Sequence, residues 1–320
     1  MEKLIGPEDD NFHPPRTNGW WEHETQWYWF FAPERKLGGW SYHYVRPNIG
    51  VSGGGVLIFD ETAWHHVETP YYTSYWNQPL PESKDLRDCR WPSGSHIKVI
   101  EPMRRYHLTF KDRDILSYDL DWTAIMEPWV AADGDPPLTR HIDQHGHVTG
   151  ELILHGERIA IDCLAMRDRS WHHLRPEGWK DQWGGGTWAS AAASRDLSFL
   201  GAGPSGFLVQ DGVRAALVEG KLERERDPQH GFMRKISVDA IDELGRKLVA
   251  NGESVSRMAM PIPGVHGVVW TSLVKYTLNG VACWGEDQDA WPINLWSAMR
   301  REQKGLHDVR LARGKLNLRG

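Results

Sequence analysis

The chain has 320 residues, more than one hydrophobic core usually serves, so two packed lobes are expected. Acidic residues outnumber basic ones, 43 to 37, and the formal net charge of −6 excludes an overall positive field for a nucleic-acid backbone or an anionic membrane surface. The three cysteines, Cys89, Cys163 and Cys283, lie too far apart for a metal spacing and leave one unpaired in any disulfide scheme, which fits a reducing cytoplasm.

The start, MEKLIGPEDDNFHPP, is polar and acidic without the apolar stretch of a secretory signal, and no later apolar run approaches the roughly 20 residues of a spanning helix. A soluble protein is expected. Period-2 alternation then dominates. Strands are predicted over Glu24 to Phe31, Gly39 to Val45, Gly55 to Phe59, Arg105 to Lys111, Ile115 to Thr123, His147 to Leu154 and Arg158 to Met166. In the first of these Trp27 and Trp29 share one face and Tyr28 and Phe30 the other; its polar start, with His23 and Glu24, reads as the exposed end of an edge strand or as a cavity rim. A short helix is predicted around Leu80 to Asp88. The stretch Glu127 to Gly146 has three prolines and no usable period, and is placed as the linker between an N-terminal lobe, residues 1–135, and a C-terminal lobe, residues 136–320.

The second half continues with strands over Thr187 to Ala193, Phe207 to Val209, Val213 to Leu222, Met233 to Val238, Lys247 to Val255 and Gly267 to Leu278. Asp133-Gly134, Asp211-Gly212, Asn251-Gly252 and Asn279-Gly280 supply the positive φ angles of tight hairpins. A C-terminal helix runs from Pro292 to about Lys304, and the basic tail after it is a solvated end. No internal repeat is visible, which leaves an all-β architecture of two antiparallel barrel or sandwich lobes with one short C-terminal helix.

Tryptophan is the compositional signal: 18 against 9 tyrosines and 8 phenylalanines. Indoles suit cavity walls as well as cores, because each brings a large apolar face and an N–H that wants a partner. They concentrate with charge in RDRSWHHLRPEGWKDQW, residues 167–183, which follows the strand ending at Met166. If pairing persists past Met166, Asp168 and Arg169 face opposite ways, and Asp168 either closes the strand end in an ion pair with Arg167 or Arg169 or is a cavity acid. Adjacent histidines, His65-His66 and His172-His173, face apart on a strand, and HIDQHGH at 141–147 is interrupted by Gly146, read as a turn, so no metal is expected. The glycine runs 53–55 and 184–186 lack the strand-to-helix setting and Lys-Ser/Thr ending of a phosphate loop, and no nucleophile elbow occurs.

The segment VTGELILHGERIAIDCLAMRDRSW resembles the middle of the AttH-like family, which includes carotenoid hydratases (hydroxyneurosporene synthase) and is similar in fold to lipocalin-like fungal Diels-Alderases. The family's Asp-x-x-Trp-Gly signature is matched by Asp168 and Trp171, and departs at His172, which stands in place of glycine. Weaker likenesses lie in ETQWYWFFAPERKLGGWSYHYVRPN and in the hairpin ending WGEDQ. The resemblance implies two lipocalin-like lobes, an apolar cavity for isoprenoid or polyketide-like ligands, and no organic cofactor.

In the last hairpin, a two-residue turn at Asn279-Gly280 sets Leu278 opposite Val281, Tyr276 opposite Cys283 and Ser272 opposite Asp287. Asp287 then shares a face with Trp270 and Tyr276, and Glu286 takes the other unless a bulge at Gly285 swaps them. The family likeness, in which an acid often follows a glycine here, favours Glu286, so both acids are kept; either is also suited to cap the following helix.

Catalytic candidates are therefore Asp168, Glu286, Asp287 and His172, and the binding candidates are Arg169, Trp27, Trp122, Trp171, Trp270, Tyr276 and Trp284. The expected activity is cofactor-independent acid catalysis: a buried carboxyl protonates an alkene of a terpenoid-like or polycyclic apolar substrate, indole faces steady the cation, and hydration, isomerisation or cyclisation follows. A non-catalytic carrier of a hydrophobic small molecule and a pericyclase of Diels-Alderase type are the alternatives. The expected partner is an apolar small molecule, with no nucleic acid and no stable membrane insertion; a homodimer is compatible with the sequence.

Overall fold

The structure is a computed structural model, described over residues 5–83, 85–130, 140–174, 186–203, 206–261 and 267–303. Among these residues the N-terminal lobe contributes β1 (Glu22–Ala32), β2 (Leu37–Arg46), β3 (Val51–Phe59), β4 (Tyr71–Tyr72), β5 (Tyr75–Pro79), β6 (Asp88–Arg90), β7 (His96–Glu101), β8 (Arg105–Asp112), β9 (Leu116–Ala124), β10 (Trp129–Val130), β11 (Arg140–Leu154) and β12 (Glu157–Leu174). They form one sheet in the order β4-β3-β2-β1-β12-β11-β9-β8-β7-β6, with β5 pairing β3 and β10 pairing β11. The C-terminal lobe is a closed barrel of β13 (Gly186–Ser194), β14 (Leu197–Leu200), β15 (Phe207–Gln210), β16 (Val213–Arg226), β17 (Met233–Asp242), β18 (Lys247–Pro261), β19 (Gly267–Leu278) and β20 (Val281–Pro292), followed by helix α1 (Ile293–Gln303). All ladders are antiparallel, as alternation and short hairpins demand.

β1 is buried at every position because both of its faces meet protein. Tyr28 and Phe30 pack inside the sheet's own curve, with ring centroids 5.8 Å from Tyr106 and 5.5 Å from Tyr118. On the reverse face Trp27 lies 6.3 Å from Trp29 and 5.5 Å from Trp40, and this layer joins Met258, Leu273 and Ala290 of the barrel in one continuous core. The lobes thus meet along a seam between the back of the sheet and the outer wall of the barrel. A second apolar cluster, including Phe199, Leu217, Val238 and Tyr276, fills the barrel itself.

Several sequence expectations are corrected. β1 is central, between β2 and β12, and its polar start is buried, so it is not an edge strand. The linker placed at Glu127 to Gly146 contains β10 and the first half of β11, and residues 131–139 lie outside the described set. β11 and β12 pair with β9 and β1, which moves the lobe boundary from 135/136 to the connection between Leu174 and Gly186. Leu80 to Asp88 forms no helix among its described residues; two prolines, Pro79 and Pro81, flank its start, and Asp88 enters β6. Asn251-Gly252 is no turn but lies inside β18, where a Cβ on Gly252 would sit 2.7 Å from the Tyr276 ring. By contrast Asp211-Gly212 and Asn279-Gly280 are turns with left-handed φ at both residues, and the pairs Leu278–Val281, Tyr276–Cys283 and Ser272–Asp287 form as read. Asp133-Gly134 and Gly184 lie outside the described residues. No described helix is long and apolar enough to cross a membrane.

Candidate functional site

The register of the seam collects acids. Asp168 on β12 pairs with Trp27 of β1 and with Asp143 of β11, so all three project from the same face of the sheet toward the barrel. On β20 the ladder runs through Gly285 without a shift, which sends Glu286 outward to meet that face and Asp287 inward. Gly285 is required here: a Cβ would lie 2.0 Å from the Ser190 carbonyl oxygen of β13. Trp29, His145, Met166, Ser190 and Glu286 then line one closely packed crevice that leaves no room for a water molecule. The expected open chamber is instead nearly filled, because Trp27, Trp29 and Met166 occupy the seam.

Glu286 is the electrostatic anomaly of the crevice. It is 1% exposed, its Oε1 has no hydrogen-bond partner among the described residues, and Oε2 accepts one long bond, 3.4 Å, from Gln288 Nε2. Burial pushes its carboxyl well above the ordinary carboxylate range, and the negative charges of Asp168, Asp287 and Asp143 add to the rise. Both causes favour the neutral acid over the carboxylate. Around it, His145 Nε2 lies 2.7 Å from Ser190 Oγ, and burial lowers this imidazole to about 4, so it is uncharged, with Nδ1 unpartnered. His141 reaches Ser170 Oγ at 2.7 Å and Asp143 at 3.2 Å. The indole N–H groups of Trp27 and Trp29 have no hydrogen-bond partner among the described residues either. Half-buried Asp168, His141 and Trp188 form the outer edge, with the His141 and Trp188 rings 6.2 Å apart. Trp284 shares the outer face of β20 with Glu286 and packs against the common core.

The other candidates sit elsewhere. Asp287 is inside the barrel, where Arg224 grips it in a fork, Nη2 to Oδ1 at 2.5 Å and Nε to Oδ2 at 3.0 Å. Burial raises the Asp287 carboxyl while the guanidinium opposes the rise, and the fork leaves neither oxygen free to deliver a proton. Beside it Arg226 holds Asp289 at 2.5 Å, so two ion pairs plug this end of the barrel. Tyr276 is also interior, and its hydroxyl donates to the Glu286 carbonyl at 3.3 Å. Trp270 lies toward the barrel mouth against Phe232 and Trp296, each about 6 Å away.

Arg169, Trp171 and Trp122 lie on the opposite face of the sheet from Asp168. Arg169 donates to Glu24 and to the Asn11 carbonyl, Arg167 stacks 5.4 Å from Trp122, and His13 stacks on Trp171 at 4.6 Å. This network fastens the N-terminal segment to β1 through His13 and Glu24, to β8 through Asp10 and Tyr106, and to β12 through Asp10 and Arg167. His172 belongs to it: its φ is +54°, the left-handed region that favours glycine, and its Nδ1 lies 3.0 Å from Glu22. The bulge at this point turns His172 away from Asp168, and burial lowers its pKa against the pull of Glu22.

Sequence reading missed Asp143, His145, Ser190 and Trp29's place at the crevice. HIDQHGH was dismissed for a turn at Gly146, yet it is continuous strand, and its alternate residues Asp143 and His145 face the barrel. His141, Asp143 and Asp168 present ligand atoms within 4.8 Å of one another, a set of one imidazole and two carboxylates in which His141 already bonds to Ser170 and Asp143.

Residues 6–288 match the family described as domain of unknown function DUF7064, and the chain belongs to that family. No curated protein matches the sequence. Among solved structures the chain is similar to an AttH protein of Nitrosomonas europaea, with a TM-score of 0.59 at 14% identity over 90% of this chain and 96% of that one. It is similar to CghA in complex with Sch210972, with a TM-score of 0.56 at 12% identity over 88% and 94%, and to kievitone hydratase of Nectria haematococca, with a TM-score of 0.53 at 10% identity over 84% and 89%. These likenesses establish the shared two-lobed, lipocalin-like fold expected from the AttH-like segment.

Proposed function

We propose that this DUF7064 chain is a cofactor-independent acid–base enzyme that protonates a carbon–carbon double bond at the seam, with hydration as the first outcome and isomerisation as the second. The observation that carries the reading is Glu286: a buried carboxyl pushed well above the ordinary range, with one oxygen that has no hydrogen-bond partner among the described residues, facing two further carboxylates and two indoles whose N–H groups likewise have none there. A buried neutral acid is what proton transfer to an alkene needs, since protonating carbon requires a donor that still holds its proton at neutral pH. A hydratase among proteins of the same fold supports it.

The steps balance as follows. The Glu286 hydroxyl gives its proton to one alkene carbon, leaving a carboxylate and a carbocation on the neighbouring carbon. The faces of Trp27 and Trp29 and the charge of Asp168 stabilise the cation. Water adds to the cation and gives its proton to Asp168, and that proton returns to Glu286. In isomerisation, Asp168 takes the proton from a carbon beside the cation instead. The seam has no free space of its own, so the branched end of an alkene enters only as a side chain yields; Met166, packed in the shared core and 3.7 Å from Ser190 Oγ, has three rotatable bonds and is the one that moves. The barrel interior has no part in this, being filled with side chains and plugged by Arg224–Asp287.

The test is incubation with linear and cyclic isoprenoid alkenes, geraniol and limonene among them, in deuterated water, with products read by mass spectrometry. Carbon-bound deuterium that disappears in Glu286→Gln supports the reading; alkene returned without deuterium, or incorporation unchanged in the variant, removes it.

A further inference from the structure

A larger hollow lies away from the seam. Where the mouth of the barrel, α1 and the segment after β3 converge, His65, His66, His230, Met260, Trp270, Trp296 and Arg300 border a cleft of about 540 Å³, in the usual range for small-molecule sites. The two lobes are tied together at its edge: Ala259 N–H donates to the Trp64 carbonyl at 3.0 Å, and the Trp64 ring lies 4.0 Å from His230. Its floor is apolar, with Trp270 and Trp296 ring centroids 5.9 Å apart beside Met260, Val268 and Ile293.

Its polar groups are one-sided. Three imidazoles and a guanidinium border the cleft, and none of the described lining residues is acidic. The nearby acids are already engaged, Asp227 with His230 Nδ1 at 3.2 Å, Asp289 with Arg226 and the Trp291 N–H, and Glu68 with the backbone N–H groups of Trp64 and His65. The Trp270 indole N–H is buried without a hydrogen-bond partner among the described residues, and an indole can only donate. Donors and cations around an apolar floor describe the complement of an apolar anion.

We propose that this cleft is a binding site for an apolar carboxylate, with the ligand's hydrocarbon or aromatic body against Trp270 and Trp296 and its carboxylate toward His65, His230 and Arg300. The site is separate from the seam: Glu286 lies on the outer wall of β20, whereas Trp270 projects from the opposite face of the β19–β20 ladder. It does not depend on the proposed chemistry.

The probes are 2-naphthoate, its neutral counterpart 2-naphthalenemethanol, and the photoreactive carboxylate 4-benzoylbenzoate. Titration calorimetry of the full chain should give saturable binding of naphthoate, with the alcohol weaker by about tenfold or more, the size expected for loss of charge-assisted contacts. Arg300→Gln combined with His65→Gln should weaken naphthoate about tenfold and leave the alcohol unchanged, and Glu286→Gln should retain naphthoate binding. Independently of any variant, 4-benzoylbenzoate should label the peptide containing Met260, and naphthoate should suppress the label. The proposal is overturned by an absence of saturable binding, by equal affinity for the alcohol, by an unchanged double variant, by loss of naphthoate binding in Glu286→Gln, or by label on the peptides containing Met166 or Glu286 instead.

Discussion

Glu286 and Asp287 are consecutive carboxylic acids on one strand, both almost fully buried, and they have opposite chemistry. Asp287 enters a barrel whose β16 offers Arg224 in bidentate reach, so its charge is matched and its geometry fixed. Glu286 enters a seam where burial is joined by the like charge of Asp168 and Asp143 and by no cation among the described residues, which pushes its carboxyl up toward the protonated form. The pleat alone separates the two environments. Burial of an acid thus says little about its role until the partner on the facing strand is known, because the same desolvation is offset in one case and compounded in the other.

The sharpest way to break this contrast is to change each acid's surroundings. Glu286→Gln keeps the shape and removes the proton donor; turnover should fall by about 10²–10⁴-fold, the usual contribution of a general acid, with the fold intact by circular dichroism. Arg224→Ala strands a buried carboxylate, and should cost about 3–5 kcal/mol in denaturant unfolding while leaving turnover per folded molecule unchanged. Equal loss of turnover in both variants would erase the distinction between the two faces.

Smaller effects sharpen it. Met166→Ala enlarges the crevice beside Glu286; it should destabilise by roughly 2 kcal/mol or more and lower KM for bulkier alkenes, read by steady-state kinetics. The pH dependence of stability has a definite sign. A folded-state pKa raised above the ordinary 4.5 of Glu286 contributes stability that is complete below that pH and lost as pH rises through the folded value. Unfolding curves at a series of pH values should therefore show the wild type losing stability relative to Glu286→Gln from pH 4.5 upward. The smallest effect belongs to His172→Gly, which relieves a left-handed φ of +54° but removes the bond to Glu22; thermal unfolding should shift by no more than about 1 kcal/mol either way.

Much of this was legible in the chain. Period-2 alternation located the long strands, and the Asn279-Gly280 turn fixed which residues of the last hairpin share a face, including the opposition of Ser272 and Asp287. The family signature located Asp168 and Trp171 and marked position 172 as a glycine site, which the left-handed backbone there explains. What could not be read was pairing between distant strands. Arg224 meets Asp287 across the closed barrel, and Asp143 meets Asp168 only because β11 lies beside β12; neither contact leaves a local pattern. Alternation already set Arg169 opposite Asp168, and it carries Trp171 with it; what no local pattern showed is that this face fastens the N-terminal segment, so neither lines the crevice as a binding residue.

Difference infrared spectroscopy at neutral pH, wild type minus Glu286→Gln, tests the protonation of the crevice acid most directly. A positive carbonyl band of a protonated carboxylic acid, unshared by an Asp287→Asn difference spectrum, is the expected result. Carboxylate bands alone at that pH would mean that Glu286 is ionised in the folded protein, and no proton donor would remain at the seam.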